Sequence, residues 1–260
     1  MNYESYKVKS VEKALKMIRL FTHRTPELKL NEISSLMGIH KSSAHRIAVT
    51  LVAGGFLRWN AGRGTYSLGL KILELSGVLV STLEIRSQVR PNLEKLHQST
   101  GEMVHLGVLD EGEVVYIDKM ESKKGVTLYS DIGKRAPCHC TGLGKALLSG
   151  LPNEKVRYIL KEKGMKCFTS NTIVNFNEFI KHLDEIRENG YALDLEEHES
   201  MVYCVAVPIR DYTGACVAAI SVTCIAKNYF ANELLDKYKT LLLKTGAAIS
   251  SELGFAEQSD

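Results

Sequence analysis

Lys41, Ser42, Ser43, His45 and Arg46 fall within six consecutive residues, close behind Gly38. Cations and hydroxyls crowded in this way suit phosphate oxygens and the edges of bases. On a helix beginning near Lys41, Ala44, Ile47, Ala48 and Leu51 would share a buried face, leaving the five polar residues on the other. Ser42 and Ser43 lie near the helix N-terminus, where phosphate binds best. Arg46 is the group best suited to a guanine contact. Arg58 precedes, and Arg63 lies within, the turn-like stretch Asn60-Ala61-Gly62-Arg63-Gly64. Both could reach phosphate or a minor groove.

These groups need a frame. Residues 31–37 predict a helix with Ile33, Leu36 and Met37 inward, ended by Gly38, since glycine reaches the left-handed conformation cheaply. A short helix, a glycine turn and a polar second helix make a helix-turn-helix. Residues 9–21 predict an earlier helix with Ser10 as N-cap and Val11, Ala14, Leu15, Ile18 and Phe21 inward. Residues 56–59 and 65–68 predict two strands joined by the turn at 60–64, a wing behind the recognition helix. The plainer alternative is a helical hairpin and a β-hairpin that merely pack together.

Charge divides unevenly. Residues 1–70 hold eleven Lys and Arg against four Glu and no Asp, giving +7. The remainder is −4, from twenty-two basic and twenty-six acidic residues. A basic head on an acidic body suits a polyanion-binding module joined to one that does not bind polyanion. The polar start of the chain predicts no secretory signal, and no run approaches the ~18 apolar residues of a membrane span. A cytoplasmic protein is therefore expected, with Cys138, Cys140, Cys167, Cys204, Cys216 and Cys224 reduced.

Beyond the head, residues 68–83 predict a helix apolar nearly all round, buried on more than one side and placed to connect and to dimerise. Residues 85–98 continue as helix, with Pro91 marking a kink or a fresh start. Strands are expected at 103–109, 113–120, 126–132, 201–210 and 215–225, and helices at 142–151, 153–163, 177–189 and 232–253. The fold class is α+β, a sheet flanked by helices. The domains are expected at 1–68 (winged helix-turn-helix), 69–83 (linker helix) and 84–260.

Several stretches resemble the IclR family of bacterial transcription regulators over nearly the whole chain. They are Ser10-Val11-Glu12-Lys13-Ala14-Leu15, residues 30–57 and Tyr66-Ser67-Leu68-Gly69. They continue with Cys140-Thr141-Gly142-Leu143-Gly144-Lys145-Ala146-Leu147-Leu148 and with Gly190-Tyr191-Ala192-Leu193-Asp194 followed by Glu196-Glu197. The last is Val205-Ala206-Val207-Pro208-Ile209, with Gly214 and Ala219-Ile220-Ser221. The resemblance implies an N-terminal head that binds a double-stranded DNA operator. It implies a GAF-like C-terminal domain that takes a small organic, aromatic or sugar acid as effector. It also implies a homodimer or homotetramer paired through heads and linker helices. Both repressors and activators occur in the family; a repressor is the expected sign here.

The resemblance further implies that Gly142 and Leu143 offer backbone N–H groups to an effector carboxylate, aided by the positive end of the helix they open. Asp194, Cys204, Ser221 and Thr223 would line the polar end, and Leu128, Ala136 and Val202 the apolar wall. The family often has two serines where this chain has Ser221 and Thr223, so the added methyl would trim the pocket. Asp194 could instead cap a turn, and Cys204 could be a small core residue. The loop is not a nucleotide-binding P-loop, because Ala146 follows Lys145. Cys138-His139-Cys140, with His105, Asp194 and Cys204, raises a metal or a redox thiol as alternatives; neither is the expectation. An enzyme using Asp194, His139 and Cys204 is the remaining alternative, but no nucleophile-elbow, P-loop or HExxH pattern is present, so no catalysis and no cofactor are expected. A second domain that only oligomerises is the other reading.

Overall fold

The computed structural model describes residues 7–22, 24–123, 128, 130–225 and 231–256, with backbone alone at 80–82 and 231–235. The chain divides into two compact units, 1–82 and 83–260.

The first unit runs α1 (Lys9–Ile18), β1 (Glu27–Leu28), α2 (Leu30–Met37), α3 (Lys41–Ala53), β2 (Leu57–Asn60), β3 (Thr65–Leu68) and α4 (Leu70–Thr82). Met17, Ile33, Ala44 and Ala48 are fully buried at its centre, ringed by Phe21, Leu28, Met37, Leu51, Leu57 and Tyr66. The two alanines let α3 lie close against the other helices. Gly38 ends α2 at φ 64°, and the N–H groups of Gly38 and Ile39 return to the Ser35 and Ser34 carbonyls. That closure sets the tight turn into α3. The strands pair antiparallel in the order β1-β3-β2.

Several local expectations change. The inward face of α1 is centred on Met17, whereas Val11 and Leu15 are 54% and 52% exposed. Leu36 is exposed as well. Apolar residues at helical spacing define more than one stripe, and only the packing partner selects which is buried. Ser10 lies inside the helix, whose N-cap is Val8 without a side-chain bond. The short β1 has no periodicity of its own; it exists because Glu27 and Leu28 pair with Ser67 and Tyr66. Within this unit α4 is not buried on several sides: Leu70 is 81% exposed and Leu73 70%.

The second unit begins with α5 (Glu84–Thr100), β4 (Met103–Asp110), β5 (Glu113–Met120) and β6 (Arg135–Pro137). It continues with α6 (Gly142–Ser149), α7 (Asn153–Lys163), α8 (Phe176–Asn189), β7 (Ala192–Leu195), β8 (Val202–Arg210), β9 (Cys216–Ile225) and α9 (Ala231–Glu252). The six strands form one antiparallel sheet ordered β6-β5-β4-β9-β8-β7. The third outer strand is β6, not 126–132. Val126, Thr127 and Tyr129 lie outside the described residues, and Leu128, Ser130, Asp131 and Ile132 are not in a strand.

Alternation along the strands makes two cores. Val104, Leu106, Val205, Val207, Ile209, Ile220 and Val222 meet Val89, Leu93 and Leu96 of α5 and Leu242 and Ile249 of α9. The opposite side carries small residues, Ala192, Ala206 and Ala219, against Leu143, Ala146 and Leu147 of α6, with Phe179 and Leu183 of α8 behind. Small strand residues allow α6 to approach the sheet. Gly144 abuts the chain just after β6: a Cβ there would sit 2.3 Å from the Cys138 Cα.

Candidate functional site

In the first unit the sequence of α3 places Ala44, Ala48 and Leu51 inward, so Lys41, Ser42, Ser43, His45 and Arg46 all lie on its exposed side. No ion pair or hydrogen bond holds the Lys41 or Arg46 side chain among the described residues. Thr50 donates to the Arg46 carbonyl at 2.9 Å, which leaves the guanidinium open. The wing residues differ from each other. Arg58 is exposed on β2, opposite Ser67. Arg63 is tied back to Glu27 at 3.0 Å, and Glu27 also accepts from Thr65. These bonds hold the Glu27 carboxyl below its ordinary range.

In the second unit the strand register gathers a polar cluster. Asp194 pairs with Cys204, Cys204 with Thr223 and Thr223 with Met103, while Ser221 lies between Ala206 and His105. With a two-residue period, Asp194, Cys204, Thr223, Ser221 and His105 emerge on the α6 side of the sheet, just past the N-terminus of that helix. Thr141 is the N-cap: it accepts from the Gly144 N–H at 3.2 Å and donates to the Pro137 carbonyl at 2.6 Å. The Lys145 N–H returns to the Thr141 carbonyl. Gly142 and Leu143 thus keep N–H groups with no acceptor among the described residues.

The two features enclose one cavity of about 50 Å³. Gly142, Leu143, Asp194, Cys204, Ser221, Thr223, Leu128, Ala136 and Val202 all line it. So do Thr141, which opens the expected glycine loop, and His105, Tyr116, Ser130, Lys134, Arg135, His198 and Glu199, to which sequence reasoning gave no pocket role. His105 is the one whose place could have been read from its register: two residues from Met103, it shares the inward phase of the strand.

Burial sets the electrostatics. His105 is held by Ser130 at 2.8 Å and lies 3.4 Å from the Thr223 hydroxyl. Burial, with Lys119 nearby, lowers its pKa to about 3, so the ring is neutral at physiological pH. Asp194 accepts the Glu197 N–H at 2.8 Å, yet burial raises its pKa to about 7. The carboxyl thus changes charge near neutrality. The alternative roles of the cysteines fare differently. Burial pushes the Cys138 thiol up to about 12 and raises Cys140 and Cys204 as well, the reverse of an activated thiolate. His139 is bonded to the Lys166 carbonyl at 2.9 Å. No group of three or more His, Cys, Asp or Glu among the described residues could hold a metal ion.

A basic, open recognition helix in one unit and a small cavity with free N–H donors and polar side chains at one end in the other define a helix-turn-helix regulator with a ligand-binding domain. The family comparisons agree. Residues 10–61 match the IclR helix-turn-helix domain and residues 78–251 the C-terminal domain of the bacterial transcriptional regulator IclR. The chain belongs to the IclR family, and is a helix-turn-helix transcription regulator with a C-terminal effector domain. It is 37% identical to the transcriptional regulator XynR of Escherichia coli, over 95% of this chain and 98% of that protein. It is 32% identical to KdgR of Escherichia coli, over 88% and 87% of the two chains. The crystal structure of the Thermotoga maritima IclR superposes with a TM-score of 0.77 at 30% identity, covering 95% of this chain and 99% of that one. An IclR homologue from Microbacterium hydrocarbonoxydans, complexed with 4-hydroxybenzoate, shares the fold at a TM-score of 0.80 and 22% identity, over 94% and 98% of the chains. No helix among the described residues is long and apolar enough to cross a membrane.

Proposed function

We propose that this protein is a repressor whose grip on a DNA operator is set by a small organic acid bound in the cavity of the second unit. The observation that carries this reading is the pair of N–H groups on Gly142 and Leu143 with no acceptor among the described residues, at a helix N-terminus, facing polar side chains across a cavity. A carboxylate placed there would accept both. Ser221, Thr223 and Asp194 would bond the rest of the molecule, and Leu128, Ala136 and Val202 would bound its carbon skeleton. The 4-hydroxybenzoate held by the Microbacterium homologue is itself a small carboxylic acid, which supports the class. On the head, Arg46 reads bases, Lys41, Ser42, Ser43 and His45 position the helix, and Arg58 adds phosphate contact. Arg63 contributes less, since Glu27 already neutralises it.

The cavity as it stands has room for only a few waters, far below the 300–1,000 Å³ of ordinary ligand pockets. Acid binding must therefore widen it. A ligand that selects the wider form shifts the population between two states, as control of DNA binding requires. Two copies of the chain would pair through the apolar side of α4, which reads as the linker between a head at 1–68 and an effector domain at 84–260.

The test is a thermal-shift screen of the full chain against keto, sugar and aromatic acids. An acid at ~100 times its dissociation constant adds ~2.7 kcal/mol to the native state. The expected result is a hit that Ser221→Ala weakens. A panel with no hit would favour a second domain that only oligomerises.

A further inference from the structure

We propose that the buried ion pair between Lys145 and Glu197 positions the effector cavity, by locking the strained turn after Asp194 onto the helix that supplies the N–H donors. This rests on the reading of the cavity as an acid site. Lys145, on α6, is among the largest fully buried side chains of the described residues, with 0% exposure. Its ammonium donates to Glu197 and lies 3.2 Å from His182 Nε2.

Glu197 is a hub. Its N–H fixes the Asp194 carboxylate, its carbonyl accepts from Thr172 at 2.6 Å, and its side chain reaches Lys145. One residue thereby ties the polar wall of the cavity to Lys145, two residues past its N–H pair.

Two observations argue that the pair serves geometry. A buried ion pair is commonly no more stable than apolar residues of the same volume, because both charges lose water. This one is imperfect even so: Glu197 Oε2 is buried with no hydrogen-bond partner among the described residues. Secondly, the turn that it holds is strained. Glu196 and Met201 both adopt left-handed conformations, at φ 60° and 65°, which side chains other than glycine seldom take. A turn of this kind keeps its shape only when its surroundings over-determine it. Asp194 starts that turn, and His198 and Glu199 within it line the cavity.

The experiment uses the full-length chain and the double variant Lys145→Met/Glu197→Leu, which removes both charges at nearly constant volume. Hydrogen exchange is read at the Glu197 and His198 amides and on β8 and β9. Expected is exchange at least tenfold faster at the two turn amides, with the strands and the acid-free melting temperature little changed. Equal exchange at the turn in parent and variant would overturn the proposal. Glu197→Gln, which keeps a hydrogen bond for Lys145, should fall between parent and double variant and covers the case in which the latter fails to fold. Binding of 4-hydroxybenzoate and of gluconate is then measured. Where the parent binds either, the double variant should bind at least tenfold more weakly; equal affinity would also overturn the proposal. Where the parent binds neither, the acid reading loses support from these probes, while the exchange data still decide the role of Lys145 and Glu197.

Discussion

Two side chains carry the sharpest expectations, Arg46 and Asp194. Arg46 lies on the open side of α3 with no acidic partner among the described residues. Arg46→Ala should cost ~1–3 kcal/mol on an operator selected from a random duplex pool, and less on unrelated DNA. Fluorescence anisotropy on both duplexes checks this; equal loss on the two would leave Arg46 a phosphate contact only. Asp194 has a native pKa of about 7 against an ordinary 3.8. A raised carboxyl favours the protonated native state, so its contribution to stability is complete below pH 4 and is lost as pH rises from about 4 to about 7. The loss approaches ~1.4 kcal/mol per pH unit inside that window. Asp194→Asn should remove this slope. Urea unfolding of parent and variant at pH 5 and 7.5 reads it; parallel behaviour would mean that Asp194 is ionised throughout.

At the scale of the element, α6 decides the site. Its N-terminus can face the cavity only because Gly144 lets the helix touch the Cys138 backbone. A methyl at 2.3 Å cannot be accommodated by rotating a side chain. Gly144→Ala should therefore displace the helix, lower stability by ~1–3 kcal/mol and weaken acid binding together. Calorimetry and ligand titration test it, and a variant that melts and binds like the parent would show that the contact is slack. Much of this element was legible in the sequence, because glycines before a run of Lys, Ala and Leu mark a helix that begins against something. What it abuts was not legible, since Cys138 comes from the loop after β6. For α1, the periodicity was plain but the buried stripe was not: Met17 lies inward while Val11 and Leu15 are exposed, a choice made by α3.

For the whole molecule, the question is what covers α4. Leu70 and Leu73 are more exposed than apolar side chains on a finished surface usually are. Leu70→Glu/Leu73→Glu should shift the protein toward monomer in sedimentation velocity at micromolar concentration and weaken DNA binding at least tenfold. A double variant that sediments as the parent does would place the oligomer contact elsewhere. The charge division between head and body adds that DNA affinity should fall steeply with salt.

Sequence by itself determined the local facts: the glycine turn into a polar helix, the wing strands, the period-two strands, the largely apolar α4, and the family motifs. Each is written in a few neighbouring residues, so spacing suffices to read it. Tertiary structure alone decided how those pieces meet. The nine residues expected at the effector site come from six separate stretches, and strand register and the approach of α6 bring them to one cavity. The same packing added His105, Tyr116 and Ser130, joined Lys145 to Glu197 across fifty-two positions, and tied Arg63 to Glu27. Burial then set the charges, because desolvation depends on every atom that surrounds a group and leaves no trace in the residues beside it.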